Sequence, residues 1–561
     1  MHAADRKFKR GKGKGGPTRR IVKGEMREGE SIEDFVRRTL GDGGDGDDGS
    51  SSAGGAVSTN GTSIEVEILD VTNGGEGIDV ADLMMDMMRV PLWIPPSLLP
   101  YVITCPDELD PGDAKRIKAE VLKGSTFDCS GWDSFERGAI YRGSFVGRRA
   151  ARTVAAMEGR GGRGGGMSVQ KKEEKTSEIS SSASGSTEPQ QQQQQQQRSG
   201  EVFAEVQSRL VDSGLSERVQ LFLLEDPEWR PGDANDETSG EYSGPPPALV
   251  ALSKNVRPEQ AAERGRGVKF LSGLSVAATM LATYAYVVSS YALNPTFFDA
   301  IVRENDAFVL TSTIPSFLGV LALQGAHELG HAAVARAKNV TLGLPVPLPS
   351  LQIGTFGSIT PIRSFPETRT DLMDVALAGP GATAALSLAM MIVGIGATVG
   401  SSEEALAAMP VVPAALLRSS FLVGSLVSVL APKVAALPLS QPVPIHPLFV
   451  VGLTGLISSA LNLLPIGRLD GGRAYRSAFG RRPAVLTSFL FLLVMAIAAL
   501  SGSSQLCIFW GLLVTVFQRN GDVPPRDEVT GVDATRRGLY GALTAVALLA
   551  LLPFPGGPGA L

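Results

Sequence analysis

From Lys269 onward the chain is dominated by Ala, Leu, Val and Gly, gathered into apolar runs that recur along the rest of the chain. A helix needs about 20 consecutive apolar residues to cross a bilayer, and a lipid-exposed backbone must satisfy its own hydrogen bonds, so such runs fold as helices. The candidates are 270–293, 308–335, 375–399, 447–464, 484–500, 506–517 and 539–552. The run 420–430 is apolar but short for a crossing and suits a re-entrant segment. Basic residues set the orientation. Arg264, Arg266 and Lys269 precede the first run, Arg336, Lys338, Arg363 and Arg369 follow the second, and Arg468, Arg473, Arg476, Arg481 and Arg482 follow the run at 447–464. All three clusters belong on one face. The fold class is therefore a polytopic α-helical membrane protein with about seven or eight membrane segments.

Residues 321–337 read LALQGAHELGHAAVARA and hold two of the four histidines in the chain. Positions four apart on a helix differ by about 40° of rotation and about 6 Å of rise, so His327 and His331 share a face. H-E-x-x-H is the spacing with which one helix gives two nitrogen ligands to Zn²⁺ and sets a carboxylate, here Glu328, beside the open coordination position. Five residues alone also describe, less well, a helix with two satisfied histidines. The surroundings separate the two readings. From 308 to 326 only Thr, Ser, Pro and Gln interrupt apolar and small side chains. Burying a carboxylate and two imidazoles there is costly without a partner, and a metal satisfies all three.

The half before Lys269 is different in kind, so the formal net charge of −5 averages a polar half with a membrane half. Residues 1–61 read as a disordered basic and Gly-rich region. Its acid-poor start is compatible with a transit peptide remnant and equally with a solvated basic tail, and 41–61 has linker composition. Residues 62–158 read as a soluble α/β segment, with a strand at 63–71 and a capped helix at 110–122. Between them, 81–99 is Met-rich, and Pro91, Pro95 and Pro96 forbid a spanning helix there. Residues 159–200 form a low-complexity linker with a glutamine run at 190–197, and 201–258 a second small α/β segment with a helix ending at Gly214 and two strands. The two segments are alternatively one module interrupted by the linker. Arg-Gly repeats inside a linker are too short to argue for RNA, and no nucleic-acid partner is expected. Three cysteines, Cys105, Cys129 and Cys507, show no zinc-ribbon spacing.

A catalytic zinc with two histidines lacks one protein ligand. Residues 461–473, LNLLPIGRLDGGR, offer a carboxylate at the end of another apolar run. Asp470 follows a break at Pro465 and Gly467, and Gly471 and Gly472 let backbones approach closely. Taken alone, this also describes an ordinary Asp-Gly turn. Asn462 is a polar side chain inside a span and needs a partner.

Together, HELGH at 327–331 and Asn462-Leu-Leu-Pro465 followed by Asp470-Gly471 resemble the motifs of the site-2 protease family of intramembrane zinc metalloproteases. The stretches GTFGSITPIRSFPETR (354–369), DVALAGPGATAALSL (374–388) and HPLFVVGLTGLISSALNLLPIGRLDGGRA (446–474) are similar to the plastid EGY-like (ethylene-dependent gravitropism-deficient and yellow-green) proteases. The resemblance covers nearly all of 265–556 and, more weakly, parts of 105–157 and 201–255. The GNLR motif of those proteases corresponds here to a stretch with Gly143, Ser144, Phe145 and Val146, and three of four positions differ.

The resemblance implies that 265–556 is a membrane-embedded zinc metalloprotease domain holding one Zn²⁺ through His327, His331 and Asp470. It implies Glu328 as the acid–base group and single-span or membrane-proximal protein segments as substrates, within the lipid bilayer of a plastid membrane. Asn462 is expected to hydrogen-bond the developing oxyanion or to hold the substrate backbone. His446 is expected to pack at a helix N-terminus or to assist at the site. Residues 354–361 are expected to form a β-loop that receives an unwound substrate strand. Two competing readings are weighed. A proteolytically inactive, partner-binding scaffold of the same family does not account for the intact ligand set. A metal transporter lacks repeated polar sites along several helices. The oligomeric state has no signature in the sequence.

Overall fold

The computed structural model describes residues 19–25, 57–60, 63–69, 98, 101–102, 107–135, 137–145, 188–226, 246–258, 266–500, 505–517 and 522–555. The chain divides into two compact units, 1–92 and 93–561. In the first, β1 (Arg19–Glu25), β2 (Val57–Asn60) and β3 (Ser63–Leu69) form an antiparallel sheet with β3 central. The strand expected at 63–71 is thus present. It pairs with two segments of the region read as disordered, whose polar composition hid short strands that alternate weakly. The Met-rich stretch 81–97 lies outside the described residues.

In the second unit, α1 (Pro111–Arg116) begins at Asp110, whose side chain accepts from Gly112 N, and runs on as a π-turn to Leu122. It is followed by the hairpin β4 (Phe127–Phe135) and β5 (Gly138–Phe145). Helix α2 (Glu188–Asp212) begins thirteen residues before the expected Glu201 and carries the glutamine run. Glutamine is a good helix former, so the run extends the helix instead of interrupting it. Strands β6 (Val219–Glu225) and β7 (Pro247–Ser253) complete one antiparallel sheet in the order β4-β5-β7-β6. The later part of the segment read at 62–158, residues 107–145, thus forms one module with the segment read at 201–258. Its apolar strands alternate between two buried faces. Leu221, Leu223, Leu249 and Ala251 pack with Val206 and Leu210 of α2. Phe222, Leu224, Val250 and Leu252 pack with Ala335, Ile362, Phe365 and Val375 of the apolar half. The module thus sits on one end of the helices that follow.

Those are α3 (Arg266–Tyr291), α4 (Pro295–Val302), α5 (Ile314–Ala337, after a 3₁₀ turn at Ala307–Thr313), α6 (Arg369–Gly400), α7 (Phe421–Leu430), α8 (Pro447–Asn462), α9 (Asp470–Phe479), α10 (Arg481–Leu500), α11 (Gln505–Phe517) and α12 (Ala534–Leu551). Between α5 and α6 lies the hairpin β8 (Val346–Ser350) and β9 (Gly354–Ile359). Among the described residues, four helical stretches are long and apolar enough to cross a membrane: Lys269–Tyr291, Ala307–Ala337, Arg369–Gly400 and Arg481–Leu500. The run at 447–464 gives a helix of only 16 residues, about 24 Å long. It is buried along almost its whole length, so its apolar character answers neighbouring helices more than lipid.

Close contacts give the directions of the central helices. Gly319 of α5 lies against Val451 and Gly455 of α8 against Leu323, so α5 and α8 run the same way. Gly394 of α6 lies against Phe449, and Gly452 against Ser387 and Met391, so α6 runs opposite between them. A side chain at Gly394 or Gly452 would fall within 3 Å of backbone atoms, which fixes these crossings to glycine. The connection 401–446 leaves and returns at one end of the bundle. There β10 (Val411–Pro413) pairs with β11 (Pro442–Pro444), and Ile445 N donates to Pro410 O at 2.9 Å. Helix α7 lies within this connection against α12, with Phe421 N donating to Leu552 O at 2.7 Å. It has ten residues and is about 15 Å long, short of the length of a span.

Candidate metal centre

Helix α5 is built from an apolar run with Pro315 in its first turn, and it ends at Lys338 and Asn339, the latter in the left-handed region at φ 54°. Lys338 bonds Asp371 at 2.9 Å and Asp374 at 3.2 Å, tying the end of α5 to the start of α6. Hydrogen bonding to Asp371 raises the Lys338 ammonium above its ordinary value. His331 lies six residues from the end of α5, about 9 Å along the axis. The motif therefore sits near the membrane end that carries the soluble module.

His327 and His331 are both buried, and their Nε2 atoms are 3.0 Å apart. Asp470 Oδ2 is 3.5 Å from the first and 3.3 Å from the second. His331 Nδ1 lies 2.7 Å from Val375 O. A carbonyl only accepts, so Nδ1 carries the proton and the Nε2 lone pair of neutral His331 faces the other donors. With His327 in the same tautomer, its Nε2 lone pair, that of His331 and the carboxylate converge at 3.0–3.5 Å, an arrangement that a cation between them would satisfy. Ligands held tetrahedrally at zinc bond lengths are about 3.3 Å apart. The donor set fits such an ion.

Glycines let three chains meet here. A Cβ on Gly379 of α6 would stand 2.3 Å from His331 Nε2, and one on Gly330 would stand 2.8 Å from Ala378 O. The AGPG stretch of α6 thus passes directly beside the imidazole. After α8 the chain turns at Pro465 and at Gly467, φ 46°, and starts α9 at Asp470. A Cβ on Gly471 would stand 2.0 Å from Leu463 O and one on Gly472 2.3 Å from Gly467 O. This close return is what brings Asp470 to the two histidines, and Tyr540 of α12 secures it by donating to Gly471 O at 3.1 Å.

Glu328 is partly exposed beside this cluster. Its Oε2 accepts from Thr360 Oγ1 at 2.7 Å and its Oε1 from Gln324 Nε2 at 3.4 Å, while Gln324 also donates to Ser358 Oγ at 2.7 Å. Thr360, Ser358 and Gln324 were not singled out from the sequence. Gln324, three residues before His327 and on the same helix face, is the one whose spacing carried a signal. The β-loop expected at 354–361 is β9 and its continuation, and it runs along the site. Asn462 Nδ2 donates to Phe356 O at 3.3 Å and to Ser458 O at 3.1 Å. Asn462 thus ties α8 to β9. Gly357, φ 101°, accommodates that contact, since a Cβ there would stand 2.5 Å from Asn462 Nδ2. His446 caps α8, its Nδ1 accepting from Leu448 N at 3.2 Å, and so takes the packing role expected of it. Gly143 to Phe145 lie on β5, where the close pairing of Gly143 against Asp128 leaves no room for a side chain.

Residues 315–500 match the profile of Peptidase family M50. The chain is 32% identical over 362 residues to "Probable zinc metalloprotease EGY1, chloroplastic" of Arabidopsis thaliana, covering 63% of this chain and 64% of that protein. It is 28% identical over 353 residues to "Probable zinc metalloprotease EGY2, chloroplastic" of the same plant, covering 63% and 58%. It is 30% identical over 301 residues to "Probable zinc metallopeptidase EGY3, chloroplastic", covering 51% and 52%. The alignments thus span less than two thirds of these relatives. No solved structure matches the chain. Residues 315–500, the stretch similar to Peptidase family M50, hold both halves of the converging donor set.

Proposed function

We propose that the chain is an intramembrane zinc metalloendopeptidase that cleaves membrane-spanning or membrane-proximal segments of protein substrates. The observation that carries this reading is the convergence of His327, His331 and Asp470 donors at 3.0–3.5 Å with Glu328 on the same helix. His327 and His331 hold the metal as neutral imidazoles and Asp470 as a carboxylate. Bound there, zinc supplies a Lewis acid and lowers the pKa of water towards about 7. Glu328 takes the proton from the attacking water and returns it to the leaving amine, oriented by Thr360 and Gln324. Asn462 holds β9 at the site, and an unwound substrate segment adds to that strand through main-chain hydrogen bonds.

Helices α8, α11 and α12, together with the four long ones, are read as seven membrane segments, with α7 re-entrant. The chloroplastic names of the relatives support a plastid membrane. The intact donor set argues against an inactive scaffold. Metal analysis of the purified chain, with cleavage of model single-span substrates by it and by Glu328→Gln, tests the reading. One zinc per chain and cleavage lost only in the variant are expected. Cleavage retained by Glu328→Gln would overturn it.

A further inference from the structure

The third donor, Asp470, opens a helix of only ten residues, and one segment far along the chain grips that helix. Residues 522–530, between α11 and α12, run in extended form alongside β6 and the chain before α6. Leu223 N donates to Arg526 O at 2.7 Å, and Glu528 N donates to Leu223 O at 2.9 Å. On the other side, Arg526 N donates to Pro366 O at 2.8 Å and Asp527 N to Glu367 O at 3.0 Å. The segment is thus a strap hydrogen-bonded to the soluble sheet and to the membrane domain at once. Asp527 shapes it from within. Its side chain is 1% exposed and accepts from Val529 N at 3.0 Å and Thr530 N at 2.8 Å.

Toward α9 the strap presents two carboxylates. Asp522 Oδ1 accepts from Arg473 Nε at 3.2 Å, and Arg473 Nη1 lies 3.9 Å from Asp470 Oδ1, the carboxylate oxygen turned away from the histidines. One turn on, Arg476 donates to Glu528 Oε1 at 2.7 Å and to Asp522 O at 3.3 Å. The far end of α9 is fastened by Arg369 at the start of α6, which donates to Ser477 O at 2.7 Å, to Arg476 O at 3.4 Å and to Glu528 O at 3.4 Å. Arg473 and Asp522 are both nearly excluded from solvent, so their pairing is a charged contact in a setting where charges are held only with partners.

We infer that Asp522 and Glu528 are positioning residues for the metal centre: through Arg473 and Arg476 they hold the Asp470 helix in register with His327 and His331, so that the centre is complete only while the strap is docked between sheet and membrane domain. A helix of ten residues carries little stability of its own, and its glycine-rich start provides no side-chain packing. Beside the close glycine return and the burial of Ala474 and Ala478, its orientation rests on what holds its arginines. Outer contacts of this kind change metal affinity by about 10–100-fold when removed.

This inference rests on the metal-site reading above, and the test separates the two. Zn²⁺ affinity is measured by chelator competition on the full chain in detergent, together with melting temperature and substrate turnover. The unmodified chain must bind one zinc, and failure there would remove the metal reading itself. Asp522→Asn and Glu528→Gln are expected to weaken Zn²⁺ binding at least about tenfold. Arg526→Gln, which breaks the strap's pair with Glu367 at 2.7 Å, is expected to leave zinc affinity within about twofold while lowering the melting temperature. In an Arg473→Gln background, Asp522→Asn should add little, because its route to Asp470 is already cut. Wild-type zinc affinity in Asp522→Asn and Glu528→Gln would overturn the inference. So would an equal loss in all three strap variants, which would make the strap an adhesive and nothing more.

Discussion

Replacing Gly379 by alanine probes the metal centre through a residue with no chemistry of its own. The added Cβ would stand 2.3 Å from His331 Nε2 and 2.5 Å from its Cδ2, whereas ordinary contact begins near 3.4 Å. Either the imidazole or the helix must give way by about 1 Å. The imidazole is held by Val375 O, four residues away on the same α6, so moving the helix drags the ring's own anchor with it. Overpacking of this kind costs about 1–3 kcal/mol, against about 0.5–1 kcal/mol gained by removing a helical glycine. The net effect is a loss of up to about 2 kcal/mol in stability. Metal affinity suffers more. A donor displaced by about 1 Å no longer shares a point with Asp470 and His327, and a loss of about 10–100-fold in zinc affinity is expected. Gly381→Ala is the internal control, because its Cβ would meet only Leu543 Cδ1 at 3.6 Å. It should bind zinc normally and melt no lower than the parent chain. Chelator competition and thermal denaturation of both variants give the measurement. Zinc affinity within about twofold of wild type in Gly379→Ala would refute the reasoning, since the close approach would then not constrain the donor.

Further outcomes follow from the same geometry. Glu328→Gln should keep zinc and lose about 10²–10⁴-fold or more in turnover, read as metal content and rate on a model substrate. Asp470→Ala should lower zinc occupancy, whereas Asn462→Ala should spare it and reduce turnover by loosening β9; unchanged metal in the first would place the third ligand elsewhere. Thr360→Val removes the 2.7 Å bond that orients Glu328 and should reduce the rate constant with little change in zinc content. Single cysteines at Ala405 and Ser440, in a chain with its native cysteines replaced, should label from one face of the membrane; labels on opposite faces would break the shared-end arrangement of 401–446.

The candidate site was legible where chemistry is local. The separation of His327 and His331 fixes a shared helix face, and an Asp-Gly-Gly start after a Pro break reads as a close backbone return. Its supports were not. Val375 orients His331 with a main-chain carbonyl, which no side-chain pattern announces. Thr360 and Ser358 reach Glu328 and Gln324 only because a hairpin folds back over α5. The roles of Asp522 and Glu528 depend on a strap some fifty residues from α9 in sequence. Asn462 was recognised as needing a partner, and the fold supplies the carbonyl oxygens of Phe356 and Ser458.

The run at 447–464 shows that an apolar run can be lined by protein instead of lipid. The runs at 447–464 and 308–335 look alike in composition. In the fold, however, α8 is enclosed by α5, α6 and α12 and stops after 16 residues. Hydropathy registers removal from water and is blind to whether lipid or helix does the removing. What distinguishes α8 is its glycines. Gly452 and Gly455 sit three apart on one face, where Ser387 O, Ser387 Oγ and a Leu323 methyl would each lie within 3 Å of an added Cβ. Such backbone-to-backbone approach is of no use on a lipid face. It is what packing between helices exploits when the hydrophobic effect no longer drives association. The same enclosure places Asn462 and Asp470 at the depth of His327 and His331. The shortness of α8 is thus a consequence of the site, because the chain has to stop, turn and deliver a carboxylate before it has reached the length of a span.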